Sequence, residues 1–385
     1  MVMNRLARTG QALSRRYMPR TAAFEGSNGT ALFIGTEPRA PSIAEFFCGP
    51  DQRGAGRGRI LSNQVPDRIT QLASAGGLAL LATRDPDARL AEIMPYSVAV
   101  PSMVDIHRDL PADTETLRDE LVTSTTREDF RRIRKAGFTY RVANDPDAIR
   151  EFHARHYTPM LANRYPDDGR TRPLDKMLAD LDKGGEVVCA DIEDEWVAGI
   201  FNMDEPDLYA MMTLGIRDAD DDVRKKRVVS ALIIRSLERA VELGRNRATL
   251  GSSVPFLGKG PVWFKAKWGG VITTDPRARH LDTFMDLRHA AVRSMLSSSP
   301  IIHRDGDELA VSLWLEPGEK PLKATTRDAG RFPGISRWYV LGEPETLDAG
   351  ADQLAATEGI VTVPLTPRAA DPIWLGEVLG RVTDR

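Results

Sequence analysis

Apolar positions gather in three consecutive runs, Glu186–Ile192, Trp196–Met203 and Leu208–Ile216. Two polar, turn-rich stretches divide them, Glu193-Asp194-Glu195 and Asp204-Glu205-Pro206-Asp207. Runs of that length with short breaks predict an antiparallel meander. After the basic stretch Arg224-Lys225-Lys226-Arg227 the period changes. Val229, Leu232, Ile233, Leu237, Ala240 and Val241 fall at the i, i+3, i+4 spacing of one helical face, which predicts a helix from Val228 to about Leu243. Gly244 ends it as a C′ residue. Arg247–Gly251 reads as a strand and Gly260–Trp268 as a helix. A basic loop that opens a helix after a sheet is a place where phosphates bind.

Upstream, Thr139–Val142 reads as a short strand, and Asp145-Pro146 supplies an N-cap and a first-turn proline. The helix they start runs to about Ala162, bent or ended near Pro159, with Ile149, Phe152, His156 and Met160 on one face. Pro173–Leu181 is a second helix, closed by Gly184-Gly185. The unit reads β, α, α, β, β, β, α, β, α, β and ends near Val271–Thr273. Residues 31–125 read as a small α/β unit, with strands at Ala31–Ile34, Leu78–Ala82 and Glu92–Pro101, a helix at Leu117–Val122, and Gly54–Gly58 as a flexible loop. Downstream, His280–Leu296 reads as a helix. A strand pair then turns at Arg304-Asp305-Gly306-Asp307, and Trp338–Leu341 and Gly359–Val363 are further strand candidates. The expected organisation is a flexible basic tail (1–30), two α+β units (31–125 and 126–275) and a C-terminal α/β extension (276–385).

Composition narrows the class. A formal charge of −3 over 385 residues gives no general affinity for nucleic acid or anionic lipid, although local patches escape that limit. Two cysteines, Cys48 and Cys189, make neither a disulfide framework nor a metal site, and Cys189 lies in an apolar run that predicts a buried thiol. No apolar run reaches membrane-spanning length. The first twenty residues carry Arg5, Arg8, Arg15, Arg16 and Arg20 and no acidic residue, as a transit peptide or a basic tail would. A cytoplasmic protein is expected. Arg53-Gly54-Ala55-Gly56-Arg57-Gly58 matches a phosphate loop by letter but lacks a convincing preceding strand.

Two motifs carry a resemblance. The first is Arg127-Glu128-Asp129-Phe130-Arg131-Arg132-Ile133-Arg134-Lys135-Ala136-Gly137-Phe138. The second is Gly258-Lys259-Gly260-Pro261-Val262-Trp263-Phe264-Lys265-Ala266-Lys267-Trp268-Gly269-Gly270. With the element order of 139–273, they resemble the GNAT acyltransferase superfamily and its Fem-like (FemAB-type) branch. That branch includes aminoacyl-tRNA-dependent peptidoglycan transferases and GNAT acetyltransferases. The resemblance covers about residues 90–275. It implies a mixed, mostly antiparallel sheet flanked by helices, with a degenerate GNAT-like unit over 31–125 ahead of the complete one. It departs at the pyrophosphate loop, where the family's glycines are replaced by Arg227 and Val229.

The resemblance also implies a chemistry: acyl transfer from acyl-CoA, acetyl-CoA first, onto an amine by direct attack, without a metal. Lys265 would stabilise the tetrahedral oxyanion, and Phe264 would shape the donor pocket. Arg224, Lys225, Lys226 and Arg227 would face the donor's phosphates, or else balance Asp218, Asp220, Asp221 and Asp222 as a solvated charge run. Ser252 and Ser253, after the strand that precedes them, would bind the acyl arm, or form a turn before Pro255. His153 and Tyr157 share a helical face and would serve the acceptor, His153 as a base. His156, in register with the apolar stripe, reads as a core histidine, and Tyr165 closes a substrate loop or packs. Trp263 and Trp268 read as core anchors. Aminoacyl-tRNA is the alternative donor, and a non-catalytic GNAT-like binding protein the alternative class. The acceptor would be a small-molecule or cell-envelope-precursor amine.

Overall fold

The first strand among the described residues starts at Arg20, inside the segment expected to be a flexible tail. The computed structural model describes residues 19–35, 40–49, 51–82, 88–164, 171–258, 260–274, 280–317, 331–349, 351–367 and 371–383. Tyr165 and most of the N-terminal tail lie outside them. The fold is mixed α+β, and the chain divides into two units that do not follow the consecutive segments expected from sequence. One comprises 1–104, 253–264 and 272–385, and the other 105–252 and 265–271.

In the first unit, β1 (Arg20–Gly26) and β2 (Gly29–Gly35) form a hairpin, and β3 (Arg53–Arg59) lies on the outer side of β1. The Gly54–Gly58 stretch is therefore strand, not loop, because β1 supplies the pairing that its glycine-rich sequence does not predict. β4 (Leu78–Ala82) and β5 (Ser97–Pro101) follow. The gap between them is filled from far downstream by β13 (His280–Phe284), which pairs antiparallel with both. This corrects the expected helix over His280–Leu296. The helix starts only at Ala290, and the preceding stretch holds a largely buried central strand. The sheet order is β3-β1-β2-β4-β13-β5. A second sheet of the same unit holds β14 (Ile301–Asp305), β15 (Glu308–Leu315), β16 (Arg337–Gly342) and β17 (Ile360–Pro364) in chain order.

The second unit opens with β6 (Val104–Asp109) and β7 (Thr139–Ala143), then the meander β8 (Gly185–Ile192), β9 (Glu195–Glu205) and β10 (Leu208–Ile216). Glu193 and Asp194 both take positive φ (50° and 66°), as the tight β8–β9 hairpin turn requires. β11 (Arg247–Ser253) and the short β12 (Val271–Thr273) complete the order β12-β6-β11-β10-β9-β8-β7. β8 and β9 are buried almost throughout, as strands covered on both faces must be. The helix Val228–Glu242 packs on β8 and β9 and buries the predicted stripe. The helix opened by Asp145 does not end at Pro159. It passes through a π-helical stretch, Phe152–Tyr157, into Thr158–Arg164. A Cβ at Gly215 of β10 would sit 2.7 Å from the His156 carbonyl carbon, so glycine there admits the wide π turn. Cys48 and Cys189 are buried free thiols, and burial pushes Cys189 up to about 12.

Candidate active site

β10 and β11 are parallel neighbours for only two residue pairs, Tyr209↔Ala248 and Ala210↔Thr249. Beyond them both strands leave the ladder. β10 shifts register against β9 between Met211 and Thr213, which turns Met212 out to 43% exposure. The Thr213 hydroxyl just past this bulge is buried without a hydrogen-bond partner. On β11, Gly251 takes φ +78°, and its N–H donates to Thr249 Oγ1 of its own strand (3.0 Å).

Lys265 meets β11 where its pairing with β10 ends. Its Nζ donates to Gly251 O (3.0 Å) and Ser252 O (2.9 Å). Consecutive carbonyls of a regular strand point to opposite sides, but the left-handed turn at Gly251 brings both to one ammonium. Burial pushes Lys265 down to about 8, against the opposing field of Asp105. A lysine so shifted is a common mark of a chemical role, although carbonyl capping alone would also place it here.

The helix Val228–Glu242 begins beside its basic loop without a side-chain cap. Its first N–H groups therefore have no acceptor inside the helix, and its dipole makes that end positive. Arg227 stands immediately before it at φ 70°, ψ 30°. The residue that replaces a family glycine thus keeps a glycine-type backbone. The loop's charge is largely answered from within. Arg224 pairs with Asp221 (2.9 Å), Lys225 with Asp222 (2.8 Å) and Arg227 with Asp129 (3.3 Å). Of the four, only Lys226 has no ion pair among the described residues.

Asp129 is the residue that sequence reasoning missed. It is 3% exposed within the helix Arg127–Ala136. It accepts from Ser230 Oγ (3.0 Å) and from Lys267 Nζ, and pairs with Arg227. One carboxylate therefore joins both sequence motifs to the start of the long helix. The available signal was its register with Ile133 and Ala136, which puts an acid on an apolar helical stripe.

His153 and Tyr157 do share a face, with rings 5.8 Å apart, and both hold the backbone of Arg172. His153 Nε2 lies 3.1 Å from Arg172 O, and the Tyr157 hydroxyl accepts from Arg172 N–H (2.8 Å). His156 is a core residue. Its ring lies 4.4 Å from Trp196, its Nε2 meets Trp196 O, and burial pushes its pKa down. Ser252 contributes its carbonyl to Lys265. Ser253 and Phe264 belong to the first unit, where Ser253 is buried and Phe264 half-buried. Trp268 is fully buried, but Trp263 is 37% exposed and is not a core anchor, because the short helix Pro261–Ala266 turns it outward.

Residues 122–254 match the family model described as an acetyltransferase (GNAT) domain. No curated protein matches the chain. Among solved structures, FemX aligns at 11% identity and TM-score 0.38, over 66% of this chain and 81% of that one. L-PGS from Bacillus licheniformis aligns at 13% and 0.33, over 68% and 80%. The ribosomal-protein-alanine N-acetyltransferase from Brucella melitensis aligns at 20% and 0.22, over 28% and 75%. Scores below 0.5 carry no weight for activity. No helix among the described residues is long and apolar enough to cross a membrane. The match over residues 122–254 supports a GNAT acetyltransferase domain within this chain, and with it an acyltransferase.

Proposed function

We propose that the protein transfers an acyl group, acetyl first, from a CoA thioester to an amine. The observation that carries this reading is the end of the β10–β11 pairing, where Lys265 holds two carbonyls of β11. The donor's phosphates lie at the uncapped start of Val228–Glu242, where N–H groups, the helix dipole and Lys226 favour an anion. The acyl carbonyl lies beside Lys265. A neutral amine attacks that carbon, forming a C–N bond and a tetrahedral oxyanion that the ammonium stabilises. Collapse breaks the C–S bond, and the thiolate takes up the proton that the amine has given to His153. Ser252 lies along the arm. His153 and Tyr157 fix the chain at Arg172 on the acceptor side, with His153 as the base. The acceptor is a small-molecule or cell-envelope-precursor amine, and the protein works in the cytoplasm.

A second reading replaces the thioester with aminoacyl-tRNA, whose ester C–O bond breaks instead. The ion pairs that already occupy Arg224, Lys225 and Arg227 favour it, since they leave less charge for a pyrophosphate. Turnover with acetyl-CoA or charged tRNA and a panel of amines separates the two. Lys265→Ala should lower turnover about 10²- to 10³-fold, the loss expected for an oxyanion donor. Melting curves recorded alongside correct for the two uncapped carbonyls. Near-normal turnover with a folded variant removes Lys265 from the chemistry.

A further inference from the structure

The transfer chemistry leaves the arginine-rich strand β3 unused. All seven of its residues, Arg53–Arg59, are exposed, and it is the outermost strand of its sheet. Its register on β1 is Arg20↔Arg59, Thr21↔Gly58, Ala22↔Arg57 and Ala23↔Gly56, with Ala55 left over in a bulge before Phe24↔Gly54 and Glu25↔Arg53. Paired residues share a face, as do residues two apart on one strand. Arg20, Arg57 and Arg59 therefore stand on one face. Arg53 stands on the other, opposite Glu25.

Like charges directly opposite on an antiparallel pair repel, and Arg20 and Arg59 hold that position. Among the described residues none of these three arginines has an ion-pair partner. The glycines of this strand answer little packing need, since a Cβ at Gly54 or Gly56 would meet nothing within 4 Å and one at Gly58 only Thr21 Oγ1 at 3.4 Å. They leave the strand bare and open to close approach. Charge on an edge strand also discourages strand-to-strand association. That role does not call for two arginines set against each other.

We infer that this face and edge of β3 bind single-stranded RNA through its phosphodiester backbone, independently of which acyl donor the enzyme uses. Planar guanidinium forks match phosphate oxygens in bidentate pairs. Arg57 and Arg59, two residues apart, are spaced by roughly 7 Å along the strand, a row that suits a chain of phosphates better than a single ion. The outer edge of β3 presents backbone N–H and C=O groups that an edge strand leaves unpaired, and the ribose 2′-hydroxyl is both donor and acceptor. β3 carries no bulky apolar side chain to enter a lipid surface.

The test is fluorescence anisotropy of a labelled, mixed-sequence RNA of about 20 nucleotides with the full chain at several salt concentrations. The probe is compared with DNA of the same sequence and with anionic phospholipid vesicles. Replacing Arg20, Arg57 and Arg59 together by glutamine should lower the slope of log affinity against log salt by about 2, at ~0.7 for each single-strand phosphate that is no longer neutralised. Arg53→Gln should leave the slope unchanged. All four positions are exposed, so melting curves should coincide. An unchanged slope in the triple variant overturns the inference. So does DNA binding as tight as RNA binding, or vesicle binding in place of either.

Discussion

Both units contain parallel strand pairing, and two such pairs, β2–β4 and β10–β11, end differently. β2 and β4 stay in register for five residue pairs, from Ala31↔Leu78 to Gly35↔Ala82. Their side chains feed two core clusters, Ala31, Phe33, Leu78 and Leu80 on one face and Leu32, Ile34, Ala79 and Leu81 on the other. β10 and β11 part after two residue pairs, at a bulge on one strand and a left-handed glycine on the other. A pair covered on both faces uses its backbone groups in the ladder and leaves no room between the strands. A pair that parts leaves carbonyls in need of another donor. Here the donor is a lysine that burial has shifted to about 8. The open pair is therefore the place in the molecule where backbone geometry, desolvation and a titratable group coincide.

The contrast can be broken from either side. The largest stability loss is expected at Asp129→Ala, which removes the buried carboxylate shared by Lys267, Arg227 and Ser230. Removing one partner of a buried ion pair costs about 3–5 kcal/mol, read by denaturant unfolding. A loss below about 1 kcal/mol would show that the open pair does not depend on this charge cluster. In the closed pair, Leu80→Ala should cost about 2–5 kcal/mol as a core truncation, yet leave turnover per folded molecule unchanged. A large fall in turnover would couple the closed pair to the chemistry and undo the contrast. Gly251→Ala should cost about 1–2 kcal/mol, because alanine resists the left-handed conformation. It should also lower turnover, since the turn at Gly251 is what aims both carbonyls at Lys265. Unchanged turnover would show that the lysine finds its position without the bulge.

The meander and the long helix were legible because apolar run length and the helical period decide them locally. β13 was not. Leu281, Phe284, Met285 and Leu287 fall at a spacing that fits a helical face, and only pairing of His280–Phe284 with β4 and β5 makes that stretch a strand. β3 failed for the opposite reason, since its glycines predict no strand and β1 imposes one. At the site, Lys265 could be singled out from its motif. The positive φ of Gly251 and Arg227 is a backbone property that residue type only partly reveals, and for Arg227 the residue type argues against it. Asp129 lay hidden in a helix crowded with charge, where an acid normally faces water.

The central claim is that the protonated Lys265 at the opened strand pair assists the transfer. Its most direct test is the pH dependence of kcat/KM from about 6.5 to 9.5, compared between the native chain and Lys265→Arg. Because burial lowers the lysine pKa to about 8, the native kcat/KM, divided by the fraction of acceptor amine that is neutral at each pH, should fall as pH rises through that value and the ammonium loses its proton. The arginine variant, which stays charged, should keep part of the activity and lose that fall. A native profile that is flat or rising through pH 8, or the same fall in the arginine variant, contradicts the account.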